Sequence, residues 1–407
     1  MKKLIVLLVA VLLLTGCAAP TPAETTAPGT TVPTASTAPL TTVAQETTSP
    51  AETEPSTEAP DPLDLLLESM TLRQKVGQLF MTRAEQLLPQ SGSVTEWTPA
   101  LTEALEEYPL GGIILFAGNI VNPDQLLALN EALSDTAGIP LFISVDEEGG
   151  IVARLARNQA FGLTRYTSAG AVGASGDPAD ALEMGQTIGA YLNTYGFNLD
   201  FAPVADVNTN PHNPVIGTRA FSSDPEIAAR MASAFASGLA ENNVIATFKH
   251  FPGHGDTAQD SHSGLAVSYR TLEELTDCEF LPFREATSRD MVMIAHVALP
   301  NVTGDMTPAT LSRQIVTGIL KEQLGFEGLV ITDAMEMGAI VESYPAGTAA
   351  VAAFQAGCHI VLIPENLEEA FDAVVAALED GSLTNQWLDE TVRKILEFKA
   401  ERGILVF

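Results

Sequence analysis

The sequence is poor in positive charge, in cysteine and in long apolar runs, and each shortage excludes something. Lysine and arginine number 20 against 51 aspartates and glutamates, for a formal charge of −31. Nucleic acid is thereby excluded as a partner, because phosphate binding requires clustered cations. Strong acidity instead favours solubility and repulsion between copies. The three cysteines, Cys17, Cys278 and Cys358, are too few for a disulfide framework. Cys278 and Cys358 are expected to be free and buried. No apolar run reaches the roughly 20 residues needed to cross a bilayer. There is also no glycine fingerprint for a dinucleotide and no P-loop, so no cofactor is expected.

What is present begins with an export signal over residues 1–16. Met1-Lys2-Lys3 is its basic end, Leu4 to Leu14 its apolar stretch, and Leu14-Thr15-Gly16-Cys17 its processing site. That tetrapeptide resembles the bacterial lipobox. The resemblance implies a lipidated Cys17 at the mature N-terminus, anchoring the exported protein to the membrane on its extracytoplasmic side. Residues 17–62 are then mostly Thr, Pro, Ala, Ser and Glu, without aromatic, Lys or Arg. Such a segment cannot bury enough apolar surface to offset its ordering, so a disordered tether is expected.

From Leu63 to Phe407 the pattern changes and stays uniform. Eight apolar runs alternate with helical stretches: Val76–Met81, Gly112–Ala117, Leu141–Val145, Leu199–Val204, Val244–Phe248, Met291–Val297, Leu329–Thr332 and His359–Ile363. Repeated β/α units argue for a parallel sheet covered by helices. Eight of them fit an α/β (β/α)8 TIM barrel with enlarged loops, with an open doubly wound sheet as the alternative. Asp177-Pro178 and Asp224-Pro225 read as caps with proline in the first turn of a helix. A barrel needs no partner, and the chain ends soon after its last helical stretch, so a single catalytic domain acting as a monomer is expected.

In such a barrel chemistry gathers where the strands end. Asp146 follows the third run, Asp206 the fourth, Lys249-His250 the fifth, His296 the sixth and Asp333 the seventh. The densest stretch, Lys249 to His262, holds three of the six histidines. Pro252, Gly253 and Gly255 forbid helix there, so the stretch is expected on a constrained loop beyond the strand. His250 and His254 would face a metal together only on a helix. Without that helix the spacing loses its meaning, and no metal is expected.

Lys249–His262 resembles the signature loop of the β-N-acetylglucosaminidases of glycoside hydrolase family 3. The similarity extends to Val145–Gly150, Ile216–Phe221, Ala295-His296-Val297 and Ile331–Met337, and covers essentially everything from Leu63 onward. It implies a retaining double displacement on a glycan ending in β-N-acetylglucosamine. Asp333 would be the nucleophile, and His262, partnered by Asp260, the acid/base. An imidazole titrates near neutral pH and can both give and take a proton. Residues two apart on an extended segment face the same way, which suits that pairing. By the same resemblance Asp146, Arg154, Arg219, Lys249 and His250 hold the sugar, and the loop glycines let His262 swing inward. Ile151 and Gly118 depart from the polar or basic residues of many relatives. The alternatives are phosphorolysis of the same glycosides, β-glucosidase specificity, and a surface lipoprotein that binds glycan without turning it over. For an exported, tethered enzyme, peptidoglycan fragments are the expected substrate.

Overall fold

Eight strands pair in chain order, each parallel to the next: β1 Phe80–Arg83, β2 Gly112–Ile114, β3 Phe142–Val145, β4 Leu199–Asp200, β5 Ile245–Phe251, β6 Met291–Ile294, β7 Leu329–Thr332 and β8 Val361–Leu362. The computed structural model describes residues 61–89, 92–261 and 264–407. The expected signal peptide, Cys17, most of the tether and His262 lie outside them. The sheet closes on itself. Val361 and Leu362 of β8 lie opposite Phe80 and Met81 of β1. On the other side Ile360 bridges Ile331, and Thr332 N–H donates to the Ile360 carbonyl at 3.0 Å. A doubly wound sheet has two free edges, so that alternative is excluded and the (β/α)8 barrel stands. Each strand is covered on both faces, which is why these segments read as unbroken apolar runs rather than alternating ones.

Two expected strands need correction. The run Val76–Met81 splits, because a helix covers Leu72–Gln78 and β1 begins only at Phe80. A capping box starts that helix: Thr71 Oγ1 accepts from Gln74 N–H while the Gln74 side chain accepts from Thr71 N–H. An apolar run shared between a helix end and a strand start cannot be divided by periodicity alone. The fifth strand is longer than expected and takes in Lys249, His250 and Phe251, which the sequence places on the loop. Lys249 pairs with Met293 and Phe251 with Ile294, with a register irregularity between them. Polar residues are tolerated there because the strand end opens into a cavity.

The helices start where the sequence says they should. Asp61, Thr98, Asn122, Asp177 and Asp224 each accept a backbone N–H with their side chain, and each is followed by proline in the first turn. Asp61 and Pro62, given to the tether, therefore belong to the folded domain. No helix among the described residues is long and apolar enough to cross a membrane. Both described cysteines are free. Cys358 is buried, its thiol pushed up to about 12 by desolvation, whereas Cys278 is only half-buried.

Candidate active site

The C-terminal ends of the strands surround a cavity of about 290 Å³ lined by Asp146, Glu148, Arg154, Arg219, Lys249, His250, His254, Ser261 and Asp333, among others. These residues come from the ends of β3, β5 and β7 and from the loops after β3, β4 and β5. That is where a parallel barrel puts its functional groups.

Five of the charges form an alternating chain. Arg154 Nη2 lies 3.1 Å from Asp146 Oδ2, and Lys249 Nζ lies 2.8 Å from Asp146 Oδ1. Lys249 Nζ also lies 2.7 Å from Glu148 Oε1. Arg219 grips Glu148 with two parallel bonds, Nε to Oε2 at 2.8 Å and Nη2 to Oε1 at 2.7 Å. Burial would push the Glu148 carboxyl up, but Arg219 and Lys249 outweigh it and hold it at about 2. Asp146 is likewise held down by Lys249 and Arg154 against desolvation. Desolvation would favour neutral Lys249, yet its two carboxylate neighbours raise its pKa. Three cations against two anions leave this wall net positive. Glu148 lies within the Val145–Gly150 motif, and its partner Arg219 lies 71 positions away, a pairing no local signal reveals.

A second group aligns the histidines. Asp206 Oδ2 bonds His250 Nδ1 at 2.7 Å, and its Oδ1 accepts His254 N–H at 2.7 Å. A carboxylate only accepts, so Nδ1 of His250 carries the proton and Nε2 is left for the cavity. His254 is engaged at both ring nitrogens, Nδ1 with Thr257 Oγ1 at 2.7 Å and Nε2 with Ser261 Oγ at 3.0 Å. Its pKa is lowered chiefly by burial. Asn213 donates to the His254 and Thr257 carbonyls at 2.7 and 3.0 Å, pinning the loop after β5 to the one that leads to Arg219.

Asp333 follows β7 directly. Its N–H donates to the Ile294 carbonyl at 2.9 Å, and its Oδ1 accepts from Ala334 N–H at 2.8 Å. Burial raises its pKa, but His250, His296 and the Ala334 N–H more than offset this and keep the carboxyl below its ordinary value. Fully buried His296 reaches the Ala334 carbonyl through Nε2 at 3.0 Å and so braces the turn that carries Asp333.

Of the expected site residues, Asp146, Arg154, Arg219, Lys249, His250 and Asp333 meet at this one cavity. Asp260 is half-buried on the segment that brings Ser261 to the cavity wall. His262, the next residue, lies outside the described residues. Gly253 and Gly255 serve close packing. A Cβ at Gly253 would sit 2.6 Å from Glu279 Cγ, and one at Gly255 only 1.8 Å from the Val207 carbonyl oxygen. At the rim Glu336 pairs with Arg83, and Ile151 is exposed.

Comparison with known proteins agrees with this arrangement. Residues 71–398 match the model of the glycosyl hydrolase family 3 N-terminal domain. The chain is 34% identical over 367 residues to the beta-hexosaminidase A of Pseudoalteromonas piscicida, covering 82% of this chain and 61% of that protein. It is 37% identical over 279 residues to a beta-hexosaminidase of Alkalilimnicola ehrlichii, covering 67% of this chain and 78% of the other. The solved family 3 beta-N-acetylglucosaminidase of Paenibacillus sp. str. FPU-7 superposes with a TM-score of 0.77 at 39% identity, over 83% of this chain and 63% of that one. The chain thus spans under two thirds of the length of the first and last of these. With the matched model extending over most of its length, the chain belongs to glycosyl hydrolase family 3.

Proposed function

We propose that the protein is a retaining β-N-acetylhexosaminidase that releases terminal N-acetylglucosamine from glycans. The observation carrying this reading is Asp333, a carboxyl kept ionised at one wall of a cavity suited to a single sugar ring. Asp333 would attack the anomeric carbon and form a glycosyl ester, which water then cleaves. A nucleophile already ionised needs no base to activate it. His262, which follows Asp260 and Ser261, would be the acid/base, with Asp260 orienting its imidazole. The chain Arg154–Asp146–Lys249–Glu148–Arg219 offers charged donors and acceptors to sugar hydroxyls. A substrate lacking one of those hydroxyls would strand a buried charge, which is a strong basis for selection.

The names of the two curated relatives support a hexosaminidase, and that of the Paenibacillus structure supports the N-acetylglucosamine specificity. The lipobox at Cys17 supports export and lipid anchoring, and with it cell-wall fragments as the natural substrate. The test is a panel of aryl N-acetylglucosaminide, glucoside and xyloside, each with and without phosphate. Preference for the first, with free sugar released at a phosphate-independent rate, is expected. Faster turnover of the glucoside, or release as sugar phosphate, would overturn the reading.

A further inference from the structure

Between Asp256 and Arg270 the chain makes one excursion that brings Ser261 to the cavity wall and then returns. Side chains tie its foot together. Ser268 Oγ donates to Asp256 Oδ2 at 2.6 Å, across 12 positions of chain. Arg270 Nε lies 3.5 Å from the same Asp256 oxygen and 3.2 Å from Glu279 Oε1. Glu279 is fully buried and packs against Gly253, just ahead of the excursion. Burial pushes its carboxyl up to about 7 against the pull of Arg270. Below that pH the foot is one ion pair, Arg270 with Asp256, and both members are half-buried.

Each side of the excursion has its own anchor. The outgoing side hangs on Asn213, which donates to the His254 and Thr257 carbonyls. On the return side Ala266 and Val267 pair with Val297 and Ala298, and Ser268 N–H donates to the Ala298 carbonyl at 3.0 Å. The Asp256 cluster joins one side to the other, as in a compact surface loop whose ends are held close. Tying the ends of a loop removes conformational freedom from the residues between them. Neither Asp256 nor Arg270 lines the cavity.

Resting on the acid/base reading above, we infer that Asp256 and Arg270 are positioning residues for proton transfer to the leaving group. They fix the span of the loop that carries Asp260 and His262, and they leave the holding of the sugar to other residues. A misplacement of about 1 Å can cost on the order of 10²-fold in rate. A leaving group that departs without a proton conceals that loss, and a sugar leaving group exposes it.

The experiment measures kcat/KM for wild type, Arg270→Met, Arg270→Lys, Asp256→Asn and His262→Ala on two substrates. Both carry N-acetylglucosamine at the non-reducing end; one is a disaccharide and the other a dinitrophenyl glycoside. Arg270→Met and Asp256→Asn should each lose at least about fivefold more on the disaccharide than on the aryl glycoside. Arg270→Lys keeps the charge but not the planar fork, and should recover part of that difference. The inhibition constant of free N-acetylglucosamine should stay within about twofold throughout the Arg270 and Asp256 variants. A merely structural role would lower both substrates by one factor, because it changes only the amount of active enzyme. Should Arg270→Met fail to fold, Asp256→Asn, which still accepts from Ser268, carries the test. Equal losses on the two substrates in these variants, with His262→Ala discriminating between them, would overturn the inference. Equal losses in His262→Ala itself would instead sink the acid/base reading, and the inference with it.

Discussion

Lys249 and Lys399 are both buried, the first at the mouth of the barrel and the second beneath its opposite end. Lys249 lies between Asp146 and Glu148, and their charge raises its pKa against desolvation. Lys399 has only neutral acceptors, the Gln78 side chain at 2.8 Å and the Gly111 carbonyl at 3.0 Å, with the Phe142 ring 4.8 Å away. Desolvation is unopposed there and lowers its pKa to about 7. The same residue type is thus a fixed cation at one end and close to neutral at the other. A cavity of about 400 Å³ also opens near Gln78, larger than the one at the mouth, but Glu106 is its only ionisable lining residue. Size does not locate chemistry; converging charges do. The mouth is built for polarity at a cost in desolvation, and the base for packing.

The sharpest way to break this comparison is Asp333→Ala. Turnover should fall by about 10⁴-fold or more, as befits loss of a covalent nucleophile, while the melting temperature stays within a few degrees. An equal loss of fold would mean that the mouth is structural. Next comes Lys249→Met, which takes from Asp146 and Glu148 the cation they share and leaves each with one arginine. Removing one partner of a buried pair costs about 3–5 kcal/mol, read from urea midpoints, and activity should fall with it. His262→Ala should slow natural disaccharides at least about tenfold more than aryl glycosides with good leaving groups, which need less protonation. Equal losses on both would remove His262 from the acid role.

Lys399→Met tests the other end. A lysine whose folded pKa is depressed binds its proton less readily than the unfolded chain does. The native state is therefore penalised below about 7. Wild-type stability should climb as pH rises from there towards the ordinary lysine value, by on the order of 2 kcal/mol. The variant should show a flatter profile across that window in melts at pH 7, 8 and 9. The smallest effect is Asp224→Ala, which removes the cap accepting from Glu226 and Ile227 N–H. About 1 kcal/mol should be lost, with kcat unchanged.

The barrel was legible because a strand buried on both faces leaves an unbroken apolar run. The residues after those runs were legible because a polar group following buried strand has few other places to go. Asp146, Lys249, His250 and Asp333 fall in this class, and all line the cavity. What the sequence concealed is pairing across distance. In the sequence Asp206 is only a polar residue after a strand, yet it fixes the tautomer of His250 and receives the His254 N–H. Asn213 carried no signal at all, although it ties two loops together. The extent of β5 was misjudged because Lys249 and His250 look like loop residues when polarity alone is weighed. The pairing of Lys249 with Met293 and of Phe251 with Ile294 is a property of the closed ring, not of the segment.

The contact between Gly255 and the Val207 carbonyl leaves no space for even a methyl group. Val207 adjoins Asp206, so the backbone that leads towards Ser261 and the carboxylate that steers His250 ride as one block. A displacement of either should drag the other with it. The loop after β5 and the carboxylate behind His250 are in that sense geared together by a missing side chain, and a single alanine at 255 would disengage them without touching any ionisable group.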